Sequence, residues 1–396
     1  MNYILGFGLS TLGFLRGYKK KDFKILEKNS YNGGHAYSHR LKNFYFDEGT
    51  HILHTKNKKF LNYFLKKNEY ISKYSKVLNY YNGTWFKYPV QNNLLNLDHK
   101  LNFLTSYLTR PKISKPKNFF EWCLSSYGKE ITNKFYKVYT KKYWNKELDI
   151  LDTSWLPGRV FDANDKQVIM NTFFKNNESV VTFNEFKYPK KNGFYGFFKS
   201  DFKKYKDMTS NNVNIKKIDL KKKIITYDKN SERYKKIYST IPLPELKKYI
   251  SFPKVIQNYL DSLEYTSLYT LNIIIKKNTF NYDHDWNYLY DKNSNISRIS
   301  ILNNISKINS SNIALQVEMF KLGDTKYNLN IDYELKNLIK IFKINKNDII
   351  DYDFRTVKYS YVVSKNSNKS NVSKIKRYLN KYDIYPFGLY GDWIYY

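Results

Sequence analysis

The stretch Tyr3-Ile4-Leu5-Gly6-Phe7-Gly8-Leu9-Ser10-Thr11, followed by Phe23-Lys24-Ile25-Leu26-Glu27, decides how this chain folds. Tyr3-Ile4-Leu5 is a short apolar run that predicts a strand, and Leu12, Phe14 and Leu15 continue with helical spacing beyond the glycine turn. Phe23-Lys24-Ile25-Leu26 predicts a second strand, which ends in Glu27. Strand, turn, helix, strand and terminal acid fall within the roughly 30 residues of a dinucleotide-binding βαβ unit. Gly6 permits the tight turn out of the strand. Gly8 lets the backbone approach a pyrophosphate on the helix N-terminus, where Leu9, Ser10 and Thr11 sit and where free N–H groups and the helix dipole favour negative charge. Glu27 is placed to accept hydrogen bonds from ribose hydroxyls. The third glycine of the fingerprint is Thr11 here, and its branched side chain is expected to push helix and strand slightly apart.

A second glycine pair follows in Asn32-Gly33-Gly34-His35-Ala36, and then Phe44-Tyr45-Phe46-Asp47-Glu48-Gly49-Thr50-His51. A nicotinamide site has no standing need for a glycine pair just after the ribose acid. A flavin site does, because a second loop passes close to the cofactor's phosphates and ring. FAD is therefore the expected cofactor, with Lys28, Gly33, Gly34, His35 and Ala36 beside it.

Composition narrows the class. The 396 residues are 42% apolar and 18% aromatic, enough to bury a real core in one large or two mid-sized domains. The single cysteine, Cys123, rules out an internal disulfide framework and reads as a small core residue. Six histidines and one cysteine show no spaced ligand set, so no metal site is expected. The apolar start lacks a basic n-region and a cleavage site, and no later stretch is long enough to span a bilayer; a cytoplasmic protein is expected. The net charge of +33 raises nucleic acid as a partner. Its lysines are scattered in pairs and triplets amid the Asn, Ile, Tyr and Phe that A/T-rich codons also supply. That pattern reads as a solvated basic surface, so nucleic acid is not expected, whereas anionic substrates or membrane surfaces stay compatible.

Residues 6–54 resemble the start of the UDP-galactopyranose mutase and protoporphyrinogen-oxidase-like (amine oxidase) flavoproteins. Asp47-Glu48-Gly49-Thr50-His51-Ile52-Leu53-His54-Thr55 is similar to the family's D-x-G-x-H segment and ends as the mutases do. Trp85-Phe86-Lys87-Tyr88-Pro89 resembles its hairpin ending in a proline. Phe120-Glu121-Trp122, Tyr127-Gly128-Lys129 and Tyr139-Thr140-Lys141-Lys142-Tyr143-Trp144 resemble its F-E-x-W … G … Y-T-x-K-x-W stretch. Tyr188-Pro189, the meander expected over residues 213–227 and Tyr238-Ser239-Thr240-Ile241-Pro242 extend the likeness over nearly the whole chain.

The resemblance implies an α/β fold in which a Rossmann-like FAD-binding domain is interleaved with a helical insertion and an antiparallel-sheet substrate domain. The expected order is a βαβ unit over residues 1–55, a mostly helical insertion over 56–185 and a return to the cofactor domain over 186–250. An antiparallel sheet over 251–365 and a C-terminal flavin loop over 366–396 complete it. The resemblance also places Gly49, Thr50, His51, Val213, Gly388, Leu389 and Asp392 at the cofactor. His51 is the candidate catalytic residue; a histidine that only hydrogen-bonds backbone beside the flavin is the alternative. Arg159, Arg298, Tyr361, Tyr395 and Tyr396 are the candidate substrate contacts, since paired guanidinium N–H groups suit a diphosphate.

Two departures accompany Thr11. Leu389 stands where the family has the arginine that meets the FAD pyrophosphate, and the chain ends before the family's next helix. The leading expectation is a flavoenzyme, mutase-like, acting on a nucleotide-linked sugar or related glycan precursor. An amine oxidase-type oxidoreductase and a non-catalytic or decayed member of the fold are the alternatives. A homo-oligomer, or a partner completing the C-terminal side of the site, is also expected.

Overall fold

The computed structural model describes residues 1–18, 22–157, 159–160, 163–175, 185–277, 280–324 and 330–395. The chain divides into two compact units. The first is assembled from Met1–Ser38, Phe194–Tyr265 and Tyr359–Tyr396, the second from His39–Gly193 and Thr266–Lys358.

The first unit holds a five-stranded sheet in the order Ile384–Pro386, Lys236–Ser239, Asn2–Leu5, Phe23–Leu26, Thr209–Ser210, with every neighbouring pair parallel. Asn2–Leu5 is buried throughout and Phe23–Leu26 nearly so, as a parallel sheet covered on both faces requires. Tyr3, Leu5, Leu26, Ile237 and Ile384 share one core with Val372, Ile375 and Leu379 of the Asn368–Asn380 helix. The expected meander is a three-stranded antiparallel sheet of Ile215–Asp219, Ile224–Tyr227 and Asn230–Arg233. The architecture is the expected mixture of a Rossmann-like unit with separate helical and sheet parts.

The second unit is built on a seven-stranded sheet in the order Ile349–Val362, Tyr265–Lys276, Asn312–Leu322, Arg298–Ile301, Trp286–Leu289, Val77–Tyr81, Thr84–Lys87. Side chains alternate across it with the period of two that a strand imposes. Leu271, Ile273, Leu315, Val317, Ile299 and Ile301 point into a core shared with the Ile331–Phe342 helix. Asn272, Gln316, Glu318, Arg298 and Ser300 alternate with them along the same strands. The stretch 56–185, expected to be a mostly helical insertion, holds strands as well as helices. Tyr70–Tyr74, Val77–Tyr81 and Thr84–Lys87 are strands. The last two meet at Asn82-Gly83, both at positive φ, the two-residue hairpin turn that those residue types favour. Cys123 is fully buried, as expected of a small core residue. Among the described residues no helix is long and apolar enough to cross a membrane, and no group of acids, histidines and cysteine could hold a metal ion.

His284 lies in this unit, 2% exposed and 3.2 Å from the Asn287 side-chain oxygen. Burial pushes its pKa down from 6.5 to about 4. Between those values the unfolded chain takes up a proton that the folded chain refuses, so stability falls as the pH drops through that window. Urea unfolding at pH 7 and pH 4.5 should show wild type losing about 2–3 kcal/mol more than His284→Gln over that interval. Equal losses in the two proteins would remove His284 as the cause.

Candidate functional site

In the first unit the two glycine loops lie against each other. Gly8 and Gly33 form a parallel bridge, and the Gly33 amide donates to the Phe7 carbonyl at 2.8 Å. A Cβ on Gly34 would lie 3.4 Å from the Gly8 Cα, and one on Gly8 would lie 3.7 Å from the Gly33 carbonyl oxygen. Gly34 itself has φ +53, the left-handed region that glycine adopts without steric cost. Backbone therefore faces backbone here, with no side chain between. The Leu9–Gly17 helix starts at this point with Gly8 as its N-cap, and no side chain caps it. Its first N–H groups and positive dipole end are thus turned toward a surface suited to an anion.

Thr11 does not behave as a mere spacer. It is fully buried, and its hydroxyl donates to the Gly6 carbonyl at 2.7 Å and lies 3.2 Å from the Thr240 hydroxyl. A threonine pair bridging strand end and helix replaces the close glycine contact of the fingerprint. Glu27 is buried at the end of the second strand, where its carboxylate accepts from the Phe7 amide (2.7 Å) and the Asn29 amide (2.9 Å). Burial pushes its pKa up, against the pull of those two N–H groups. Lys28 is exposed, and the Val213 amide donates to the Glu27 carbonyl at 3.0 Å.

The C-terminal turn closes on the same place. Gly388, the first residue of the Gly388–Gly391 turn, packs directly on the Ser10 side chain, leaving no room for a Cβ. Leu389 is half-buried, Asp392 forms an ion pair with Lys376, and the ring of His35 meets Tyr390 edge-on at 5.5 Å. Ala36 is buried in the short Gly34–Ala36 turn. Tyr361 and Tyr395 meet ring to edge at 5.5 Å in this unit. Tyr396 lies outside the described residues. The structure thus gathers Gly6, Gly8, Ser10, Thr11, Gly33, Gly34 and Gly388 from three separated stretches of chain.

Gly49, Thr50, His51, Arg159 and Arg298 fall in the second unit. Thr50 sits on the polar face of the sheet: its amide donates to Glu318 at 2.8 Å and its hydroxyl to Ser300 at 2.6 Å. Gly49 has φ +84, and a Cβ there would meet Leu268 at 2.9 Å. Nδ1 of His51 lies 2.7 Å from the Gly49 carbonyl, which can only accept, so Nδ1 carries the proton. That contact is to backbone, and both readings of His51 accommodate it. Arg159 is exposed, with its amide on the Leu156 carbonyl. Arg298 is held by both oxygens of Glu318, Nε at 3.0 Å and Nη2 at 2.7 Å.

Around Arg298 stand residues that the sequence reading did not single out as substrate contacts. Tyr288 is its register partner, and the Tyr288 ring lies 5.2 Å from that of Tyr88 and 5.5 Å from that of Tyr139. All three rings are half-buried, and burial pushes each phenol's pKa up, with Arg298 opposing the rise at Tyr139 and Tyr288. They remain protonated donors at neutral pH. Two signals bear on them: Tyr139 lies in the Y-T-x-K-x-W stretch, and Tyr288 lies in the Trp286–Leu289 strand two residues before Tyr290.

Residues 6–66 match the family of NAD(P)-binding Rossmann-like domains. A Klebsiella pneumoniae protein assigned as a UDP-galactopyranose mutase is 28% identical over 168 residues. That match covers 39% of this chain and 43% of the Klebsiella protein, less than half of either. The crystal structure of a reduced UDP-galactopyranose mutase superposes with a TM-score of 0.86 at 20% identity, covering 100% of this chain and 90% of the other. An Exiguobacterium protein assigned as a protoporphyrinogen oxidase gives 0.74 at 12% identity, over 98% of this chain and 93% of the other. The fold is that of the mutase and protoporphyrinogen oxidase structures.

Proposed function

We propose that the first unit binds FAD and that the chain is a flavin-dependent enzyme acting, mutase-like, on a nucleotide-linked sugar. One observation carries the cofactor reading. Gly8, Gly33 and Gly34 present bare backbone to one another beside an uncapped helix N-terminus, a cradle that any Cβ at Gly34 would begin to fill. The amides of Leu9, Ser10 and Thr11 would hold the pyrophosphate, with Glu27 buried at the ribose end. FAD, when bound, supplies the electron chemistry. In the second unit, Arg298 with the protonated phenols of Tyr139 and Tyr288 offers charge and O–H donors to phosphate oxygens. His51 would hydrogen-bond backbone and need not move a proton.

The visible spectrum of the purified chain, before and after adding FAD, tests the cofactor. Bands near ~370 and ~450 nm mark a bound oxidised flavin; a protein that stays colourless in excess FAD sinks this reading. A mutase should then turn over only with reduced flavin and yield no net redox product.

The bidentate Arg298–Glu318 pair favours a second reading, because the carboxylate already takes up the charge that a diphosphate would require. An oxidoreductase of the amine oxidase kind needs no such arginine. It would consume oxygen or another acceptor in step with its substrate.

A further inference from the structure

The Asp165–Phe173 helix in the second unit is built inside out. Its buried residues are Val168, Asn171 and Thr172. The two polar ones are satisfied: Asn171 donates to the Asn92 carbonyl at 2.8 Å, and the Thr172 hydroxyl donates to the Val168 carbonyl at 2.7 Å. Ile169, Met170 and Phe173 point outward instead, followed by Phe174, with exposures of 38, 45, 49 and 62%. A surface helix ordinarily turns its apolar stripe to the core. A contiguous apolar patch left outside marks a contact surface.

Charge indicates what covers it. The exposed lysines Lys166 and Lys175 bracket the stripe. The acid at the helix start, Asp165, does not offset them, because Arg110 pairs with it at 2.9 Å and the Tyr107 hydroxyl donates to it at 2.5 Å. The whole chain carries +33.

We propose that this helix docks on an anionic lipid surface, independently of the flavin reading. Ile169, Met170, Phe173 and Phe174 would enter the boundary between headgroups and acyl chains, while Lys166 and Lys175 reach back to the headgroup phosphates. A second copy of the chain is the poorer occupant, since it would bring the same net charge against itself. An anionic bilayer attracts that charge within a Debye length of contact.

The test uses the full chain with vesicles of phosphatidylcholine alone and with about one-third phosphatidylserine. Wild type should bind only the anionic vesicles. The Phe173→Ser/Phe174→Ser variant should bind them at least ~10-fold more weakly with an unchanged circular dichroism spectrum. In a Phe173→Trp variant, the added emission should shift to the blue and be quenched by brominated lipid. Failure of wild type to bind, equal binding by the serine variant, or a tryptophan that stays in water would each overturn the proposal. So would a wild-type dimer that the serine variant dissolves without loss of vesicle binding, because the helix would then be a self-interface.

Discussion

Replacing Gly34 by valine is expected to leave the purified protein without flavin, with FAD affinity lowered at least ~100-fold, or about 2.7 kcal/mol. Two effects add. A β-branched residue at φ +53 is strained by about 1–3 kcal/mol, so the loop relaxes away from that conformation. Its side chain would also press on the Gly8 Cα, 3.4 Å from the first added carbon, and part the two loops that make the cradle. Gly34→Ala should fall between valine and wild type. Gly13→Ala, in the Leu9–Gly17 helix and with nothing within 4 Å of its Cβ, is the control. It should keep flavin fully and gain up to ~1 kcal/mol of stability from helix propensity. Titration of each apoprotein with FAD, followed by flavin fluorescence, reads the series. Full retention by Gly34→Val would mean that the glycine loops do not hold the cofactor.

Glu318→Ala is expected to destabilise the protein by about 3–5 kcal/mol. The carboxylate is fully buried and serves both the Arg298 guanidinium and the Thr50 amide. Truncation leaves a largely buried cation and a backbone donor without their acceptor. Arg298→Met combined with Glu318→Leu removes both charges and should recover most of the loss, because two apolar residues cost less than one unpaired ion. Urea unfolding of Glu318→Leu, Arg298→Met and the double variant, with Glu318→Ala alongside, measures this. Purely additive losses would mean that the pair is not coupled. The proposed substrate role predicts a separate effect: the double variant, though folded, should have a raised KM for a diphosphate substrate.

The βαβ unit and its glycine loops were legible because their signals are local. Gly6, Gly8, Glu27, Gly33 and Gly34 lie within a few turns of chain, and each states a conformational or hydrogen-bonding need by its residue type. Thr11 was legible as a departure but not as a solution, because its partner Thr240 lies far along the chain and meets it only through the sheet. The strands Tyr70–Tyr74 and Val77–Tyr81 fall in a stretch expected to be mostly helical, because aromatic and Leu spacing suits either element, whereas the hairpin reading of residues 85–89 agrees with the strand Thr84–Lys87. The Asn82-Gly83 turn was the sign that separates the two.

The polar face of the second unit was present as alternation: Asn272 between Leu271 and Ile273, Gln316 and Glu318 among Leu315, Val317 and Met319. Alternation says that one face of a strand is polar. It does not say which strand lies beside which, and that is what pairs Arg298 with Glu318 and sets Tyr288 opposite Arg298. From its sequence alone, this chain determined a dinucleotide-binding βαβ unit, the two glycine loops and the class of fold, since those follow from φ preferences and short-range periodicity. Only the tertiary structure decided that Arg298 is held by Glu318, that His51 bonds backbone, and that one helix turns its apolar side outward. Each depends on sheet register or on helix orientation about its axis, which long-range packing sets and local residue preference does not.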